Sequence, residues 1–192
     1  FEVELFKYPE DLISSIINER PFAIALSNYT WNSDIANEIA RRSKELYPEI
    51  INIFGGVNFS EEKNKQKEWL IKRPWVDFFV RLEGEIAFTN LIDSIVDNNY
   101  NIKKCKKLKL NSICAVDDSK FYFGETQPRI KNFEDVPSPY TMGLMDKFYE
   151  TTLWPLVETN RGCPFTCAFC SEGTNYYKKV AKKTNSKITN EL

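Results

Sequence analysis

The sequence predicts an α/β fold with a doubly wound parallel sheet. Over residues 1–100, short β-rich runs alternate with longer runs whose apolar residues recur every three or four positions. One short run, "PFAIALSNY", is almost continuously apolar, as expected of a parallel strand that helices cover on both faces. Alternation of this kind is typical of parallel strands joined by helical crossovers.

The first elements follow directly from these patterns. "FEVELF" alternates apolar and acidic residues and predicts a strand. A helix over about residues 10–19 then places four apolar side chains on one face, namely Leu12, Ile13, Ile16 and Ile17. "PFAIALSNY" is the second strand, and Ser33 or Asp34 caps the helix after it.

The remaining elements of this region continue the alternation. "EIINIFGG" predicts a third strand that runs into two glycines, and the lysine-rich residues 60–72 predict a helix or a loop. "VDFFVR" is a fourth strand, and "IAFTNLIDSIV" has the spacing of a helix. We therefore expect one domain over residues 1–100, of the Rossmann-like or flavodoxin-like type.

The pattern changes after residue 100. "SICAVDDSKFYFG" contains two short β-runs separated by a polar turn, which predicts a hairpin. Prolines at positions 128, 137 and 139 predict an extended linker, because proline moves the preceding residue out of helical space. We expect a hairpin and linker over residues 101–150. A second domain is expected over residues 151–192, where "LWPLVETNRGC" supplies its first strand.

Composition excludes several classes of function. The 192 residues carry a formal net charge of -1, which argues against a general nucleic-acid binder. No apolar run approaches the roughly 20 residues that cross a bilayer, and no signal-peptide pattern is present. We expect a cytoplasmic protein without a membrane or nucleic-acid partner. The absence of histidine excludes catalytic triads and histidine metal ligands within these residues.

Three of the five cysteines lie within eight residues, in "RGCPFTCAFCSEG". Cys163, Cys167 and Cys170 have a C-x3-C-x2-C spacing that several explanations fit. A structural zinc site would need a fourth ligand, either Cys105 or Cys114. Buried thiols or a disulfide are further alternatives, although a disulfide would leave an odd thiol. The remaining alternative is a 4Fe-4S cluster held by three thiolates, with one iron left open.

This motif, with Phe169 just before the last cysteine, resembles the signature of the radical S-adenosylmethionine (SAM) enzymes. The resemblance implies that SAM chelates the open iron and is cleaved reductively to a 5'-deoxyadenosyl radical. It also implies an electron donor such as flavodoxin or ferredoxin, and a small-molecule or peptide substrate. Phe169 is expected near the adenine of SAM, unless it is an ordinary core aromatic residue. The sequence assigns no catalytic side chain.

The upstream blocks "SNYTWNSDIANEIARRSKELYPEIINIFGGVNFS" and "VDFFVRLEGEIAFTNLI" resemble the cobalamin-binding domain that precedes many radical SAM enzymes. Ligands bind at the carboxyl ends of strands in such sheets. The predicted contact residues therefore lie in three loops: Ser27, Asn28, Tyr29 and Trp31; Gly55, Gly56 and Asn58; and Glu83, Gly84 and Glu85. Glycines let backbone approach a bulky flat ligand, although the pair can also serve only a turn.

The sequence departs from this family in two respects. It has no histidine and so cannot contain the D-x-H-x-x-G motif that supplies a ligand to cobalamin in some such domains, and any bound corrin would lack a histidine ligand from these residues. Asn58 also stands where such domains often have histidine after the two glycines. The resemblance further implies that the domain's first strand and helix precede Phe1. It also implies that residues 151–192 begin a β/α barrel of roughly 250 residues, without which we expect no turnover.

The predicted function is that of a radical SAM enzyme, with methyl transfer or rearrangement dependent on cobalamin. The alternative is a non-catalytic α/β domain with a structural zinc ion or a vacant three-cysteine site.

Overall fold

The computed structural model describes residues 1–150, 154–170 and 172–192. These residues form two compact units. The larger, called here the α/β unit, is Phe6–Pro128. The smaller, called the cysteine unit, consists of Phe1–Leu5 together with Arg129–Leu192. The start of the strand predicted from Leu153 lies outside the described residues.

The α/β unit alternates helices and strands. Its helices are α1 Pro9–Glu19, α2 Ser33–Leu46, α3 Lys63–Ile71, α4 Glu85–Asp97 and α5 Ile102–Lys106. Its strands are β1 Ala23–Ser27, β2 Ile51–Gly55, β3 Phe78–Val80, β4 Ile113–Asp117 and β5 Lys120–Phe123. The lysine-rich run after residue 60 therefore contains a helix, and the predicted helices and strands between residues 9 and 97 are confirmed within a few residues.

The five strands form one mixed sheet in the order β1-β2-β3-β4-β5. Strands β1, β2 and β3 are parallel, whereas β4 and β5 run antiparallel to their neighbours. The predicted hairpin is confirmed, with Asp118 and Ser119 at φ 47° and 63° in the turn. Two successive positive φ values are typical of the turn that matches the twist of a two-stranded hairpin.

The sheet has a hydrophobic core on each face. Ile51, Ile53 and Phe78 pack on one face against α4, and Phe54 and Phe79 pack on the other against α2 and α3. This arrangement confirms the α/β class, in a Rossmann-like form with helices on both faces. Buried strands of this kind keep their strand ends fixed, which positions the loops that follow them.

A buried polar network lies where strands β2 and β3 begin. The Asp77 carboxylate lies 2.7 Å from Lys44 Nζ and 3.1 Å from Lys106 Nζ. It also accepts a hydrogen bond of 3.0 Å from the backbone N–H of Asn52. The Asn52 amide donates in turn to the carbonyls of Ala40 and Trp75. This network joins β2 to the segment that leads into β3.

The structure corrects three details of the sequence analysis. "FEVELF" is not a strand, because no neighbouring strand in the described residues pairs with it and an isolated strand is not stable. The N-cap of α2 is Asn32 rather than Ser33 or Asp34. The hairpin does not form part of a linker, since it completes the sheet and extends the α/β unit to Pro128, beyond the expected boundary at residue 100.

The cysteine unit contains little regular structure in its described residues. A two-residue strand, β6 Asn160–Arg161, pairs antiparallel with β7 Ala181–Lys182, and helix α6 spans Asn185–Glu191. Short 3-10 helices cover Phe133–Asp135 and Asp146–Phe148. The strands of a β/α barrel have parallel neighbours, whereas β6 and β7 are antiparallel. The predicted β/α barrel therefore stays a prediction. Across the described ranges, no helix has the length and apolar character needed to traverse a bilayer.

Candidate cofactor-binding site

The candidate site lies where the three parallel strands end. Because β1, β2 and β3 run in the same direction, the loops that follow them leave from one edge of the sheet. These are the loop after β1 (residues 28–32), the loop after β2 (56–60) and the loop after β3 (81–84). In open α/β sheets this edge is the usual position of a ligand.

Hydrogen bonds join the first loop to the second. The Asn28 N–H donates to the Gly55 carbonyl at 2.6 Å, and the Asn58 N–H donates to the Asn28 carbonyl at 3.1 Å. The Asn28 side chain adds a bond of 2.8 Å from Nδ2 to the Asn58 carbonyl. The structure thus brings together three predicted site residues that lie up to 30 positions apart in the sequence.

Asn28 has one polar atom left over. The residue is 0% exposed, and its Oδ1 atom has no hydrogen-bond partner among the described residues. A buried amide oxygen without a partner costs roughly 1–3 kcal/mol. An acceptor retained at this cost, at the edge where such folds bind ligands, fits a site that receives a donor from a bound molecule.

Two stacked aromatic side chains lie beside this edge, with Trp31 exposed and Tyr29 partly buried. Trp31 is 79% exposed, and its ring stacks on Tyr29 at a centroid distance of 4.7 Å. The Asn32 side chain fixes the turn that carries them, because Oδ1 accepts from the Tyr29 N–H at 2.7 Å and Nδ2 donates to Ser27 Oγ at 2.8 Å. A stacked pair of this kind, with the Trp31 ring exposed and the turn held by its own side chains, offers a flat apolar surface to a ligand.

The two glycines have different roles. Gly56 has φ +123°, and a Cβ atom there would lie 2.7 Å from the Asn28 carbonyl oxygen. A Cβ on Gly55 would make only an ordinary contact, 3.6 Å from the Val80 carbonyl oxygen. Gly56 is therefore required for the approach of the first two loops. The backbone of Asn28 occupies the space beside Gly56, so this space is not left for the flat ring of a ligand.

The third predicted group follows β3. Leu82 turns the chain at φ 62°, and Gly84 is the N-cap of α4. Glu83 is buried, while Glu85 begins the helix. Carboxylates at a helix N-terminus are favoured by the partial positive charge of its unpaired N–H groups. This accounts for Glu85 without a ligand, and the contact role of the third loop stays a prediction.

Sequence reasoning missed the part of the site edge that the hairpin supplies. The Arg81 N–H donates to the Ser112 carbonyl at 2.8 Å, and its guanidinium donates to the Gly124 carbonyl at 3.2 Å. Asn32 was also missed, although an Asn directly before a helix start is a recognisable capping signal. No pattern in the sequence shows that the hairpin returns beside β3, since that pairing is set by the sheet.

The motif cysteines lie on one loop of the cysteine unit. The Cys163 N–H donates to the Tyr177 carbonyl at 2.9 Å, and a turn links the Cys170 N–H to the Cys167 carbonyl at 3.1 Å. Cys167 and Cys170 are exposed, and Cys163 is partly so. Among the described residues, no group of three or more His, Cys, Asp or Glu side chains is close enough to hold a metal ion. The loop carries three thiol donors of a suitable kind, but the described residues do not hold these thiols close enough together to bind one metal ion.

Phe169 is 94% exposed on this loop. Among the described residues of this unit, Phe169 is therefore not part of a hydrophobic core. Its expected position beside an adenine stays a prediction.

The other two cysteines lie in the cores of the α/β unit. Cys105 packs on the α4 face and Cys114 on the α2 and α3 face, and both are almost fully buried. Burial raises the pKa of the Cys105 thiol, and it raises that of Cys114 to about 11. Both thiols lie among the apolar side chains of these cores, as packing residues do.

Comparisons with known proteins agree with this geometry. Residues 2–92 match the family model of the B12 binding domain. Residues 2–92 are thus similar to B12 binding domains, and the chain as a whole is similar to cobalamin-dependent radical SAM methyltransferases. It is 28% identical over 178 residues to the cobalamin-dependent radical SAM methyltransferase TokK of Streptomyces tokunonensis, a match that covers 90% of this chain and 25% of TokK.

Two further proteins extend the comparison. The 2-(S-pantetheinyl)-carbapenam-3-carboxylate methyltransferase of Streptantibioticus cattleyicolor is 31% identical over 162 residues, covering 80% of this chain and 22% of that protein. The apo structure of the cobalamin-dependent SAM radical enzyme OxsB shares the fold, with a TM-score of 0.56 at 23% identity over 85% of this chain and 22% of OxsB. The chain thus spans about a quarter of the length of the relatives it matches.

Proposed function

We propose that the α/β unit binds cobalamin at the edge formed by its first two loops. The observation that carries the proposal is the junction of Asn28 with Gly55 and Asn58, because it leaves one buried acceptor unpaired at the ligand edge of a B12-binding family domain. The exposed Trp31 ring, stacked on Tyr29, adds an apolar surface beside it. The residues present therefore fit a large ligand with a flat ring and peripheral amide donors.

The residues of this chain fit only a mode of cobalamin binding in which none of them supplies a histidine ligand. The chain contains no histidine, so no imidazole of these residues can occupy the lower face of the corrin. Asn28 would accept a hydrogen bond from the ligand's periphery, and Trp31 would exclude water from one side of it. Bound cobalamin would supply methyl-group or rearrangement chemistry, and the loops of this chain would hold and orient it.

We further propose that Cys163, Cys167 and Cys170 supply the three protein ligands of a 4Fe-4S cluster in a complete radical SAM enzyme. Such a cluster would supply the electron that cleaves SAM to a 5'-deoxyadenosyl radical. The spacing of the three thiols on one loop and the exposure of Phe169 support this proposal. An electron donor of the flavodoxin or ferredoxin type and a small-molecule or peptide substrate belong to the same proposal.

A cobalamin titration of the full chain tests the first proposal. Hydroxocobalamin and methylcobalamin are added separately, and binding is followed by absorbance and by quenching of tryptophan fluorescence. We expect binding without the spectrum of a histidine-ligated corrin. Trp31→Ala should weaken binding about tenfold, which corresponds to roughly 1.4 kcal/mol of lost contact.

The matched control is Leu46→Ala. Leu46 is also an exposed apolar residue, but it ends α2 at the opposite end of the helix from Trp31. Its removal should leave the affinity unchanged. Absence of binding to wild-type protein at high micromolar corrin, or equal effects of the two substitutions, would contradict the proposed site.

Metal analysis after anaerobic reconstitution tests the second proposal. About four irons and a brown chromophore are expected in the wild type and in Cys105→Ala and Cys114→Ala. Each of Cys163→Ala, Cys167→Ala and Cys170→Ala should lose the iron, because two thiolates do not hold the cluster. One colourless zinc ion per chain would instead favour the non-catalytic alternative. Loss of iron in either core variant would refute the three-ligand assignment.

A further inference from the structure

Arg129 lies between the two ends of the loop that carries the cysteines. This cysteine loop, defined as residues 162–180, begins after β6 and ends before β7. We propose that Arg129 is a positioning residue that closes the base of the cysteine loop and thereby sets the spacing of Cys163 relative to the other two thiols. The proposal rests on the proposed cluster function of these cysteines.

The guanidinium group contacts both ends of the loop. Its Nη2 atom donates to the carbonyl of Arg161 at 3.1 Å, and its Nη1 atom donates to the carbonyl of Lys179. These carbonyls lie 18 positions apart in the sequence and belong to the two segments that flank the motif. A planar guanidinium with fixed donor directions can bridge two carbonyls in this way, whereas an ammonium group on a flexible stem cannot fix their separation.

Aromatic rings confine the same guanidinium. The ring centroids of Tyr176 and Tyr177 each lie 5.8 Å from the Arg129 Cζ atom. A cation at this distance from an aromatic face is attracted by the ring, and the rings restrict the rotamers of the side chain. Arg129 is thus held by the loop that it closes.

Gly162 is a second, independent sign that the base of the loop is tightly closed. It has φ +107°, and a Cβ atom there would lie 2.4 Å from the Lys179 carbonyl oxygen and 3.1 Å from Arg129 Nη1. The next residue, Cys163, donates its N–H to the Tyr177 carbonyl at 2.9 Å. The first ligand of the motif is therefore one residue from the contact that Arg129 makes.

Closure of this base matters for a three-thiolate site. The described cysteines are not close enough together to hold a metal ion, so cluster binding must rearrange the loop. A loop whose ends are already fixed loses less conformational freedom when it does so. Release of one end should consequently weaken cluster retention without removing any ligand.

Two measurements on the full chain test the role of Arg129. Hydrogen exchange at the Cys163 amide reports on closure of the loop base without any cluster. Arg129→Gln should accelerate this exchange by about 10- to 100-fold, the range expected when a charged hydrogen bond is lost. Arg129→Lys should give an intermediate rate, because one ammonium can still donate to one carbonyl.

Cluster retention is the second measurement. After anaerobic reconstitution, Arg129→Gln should lose iron to a chelator about tenfold faster than wild type. The electron paramagnetic resonance signal of its reduced cluster should also be broadened. Lys131→Gln is the matched control, since it removes an exposed positive charge two residues away. It should resemble the wild type in both measurements.

Gly162→Ala opens the same base by a different route and should reproduce both effects of Arg129→Gln. Unchanged exchange at β2 amides shows that the α/β unit remains folded in each variant. Wild-type exchange and iron loss in Arg129→Gln would overturn the positioning role. If the wild-type chain binds no iron, the cluster proposal fails, while exchange at Cys163 still decides whether Arg129 closes the loop.

Discussion

Gly56→Ala gives the sharpest test of how the site edge is built. The new Cβ would lie 2.7 Å from the Asn28 carbonyl oxygen and within 3.2 Å of two further backbone atoms of that residue. Backbone atoms cannot rotate away as a side chain can, so one of the two loops must shift. The position also has φ +123°, which side chains rarely adopt.

The expected magnitude follows from these two effects. A non-glycine residue forced into a sparsely populated backbone region costs about 1–3 kcal/mol. Loss of a hydrogen bond between Asn28 and Asn58 adds about 0.5–1.5 kcal/mol. We therefore expect the free energy of unfolding to fall by about 2–4 kcal/mol. Affinity for cobalamin should fall as well, because the Asn28 side chain moves with its loop.

Urea unfolding, followed by circular dichroism, measures this effect, and Gly55→Ala is the control. A Cβ at Gly55 would meet only the Val80 carbonyl oxygen at 3.6 Å, so its stability should stay within about 1 kcal/mol of wild type. If Gly56→Ala unfolds at the same urea concentration as Gly55→Ala, the loops are not packed as described. If Gly55→Ala alone abolishes cobalamin binding, the first glycine faces the ligand instead.

Three further predictions concern the cores of the two units. Burial raises the pKa of the Cys114 thiol to about 11 from an ordinary value near 9. The stability that this shift contributes is complete below about pH 9 and is lost as the pH rises to 11, a difference of about 3 kcal/mol. Urea stability should therefore fall less over this pH range in Cys114→Ala than in the wild type. Asp77→Ala should lower the free energy of unfolding by about 3–5 kcal/mol, because it leaves two half-buried lysines without their carboxylate. The control Glu38→Ala removes a carboxylate from an exposed ion-pair cluster and should change the free energy of unfolding little. Limited proteolysis should cut within residues 129–192 first, because the described part of that segment contributes only Phe133 and Phe148 to the buried hydrophobic residues; equal protection of both units would contradict this.

The order of helices and strands in the α/β unit could be predicted because each is encoded within a short window. The unbroken apolar run of β1 and the three- and four-residue spacing of α4 indicate buried elements whatever their neighbours are. The hairpin was predictable for the same reason, since its polar turn tolerates positive φ. "FEVELF" misled because alternation predicts a strand only where a partner strand exists.

The candidate site was predictable as a set of loops but not as a set of contacts. Parallel strands place their carboxyl ends at one edge, so the loops that contain Asn28, Gly56 and Glu83 were expected together. The bond from Asn28 to Asn58 and the unpaired Oδ1 atom depend on distances between segments 30 residues apart. The sequence predicted that Gly56 makes room for a ligand, whereas in the structure it makes room for the backbone of Asn28.

The sequence by itself determined the α/β class, the loops that form the site edge, and the thiol donor set of Cys163, Cys167 and Cys170 with its spacing. These depend on local periodicity and residue chemistry, which act over a few residues. Only the tertiary structure decided that the hairpin joins the sheet, that Asn28 is buried with one acceptor unpaired, and that Arg129 bridges Arg161 and Lys179. These depend on which distant segments pack together, and that choice follows from burial of apolar surface across the whole unit.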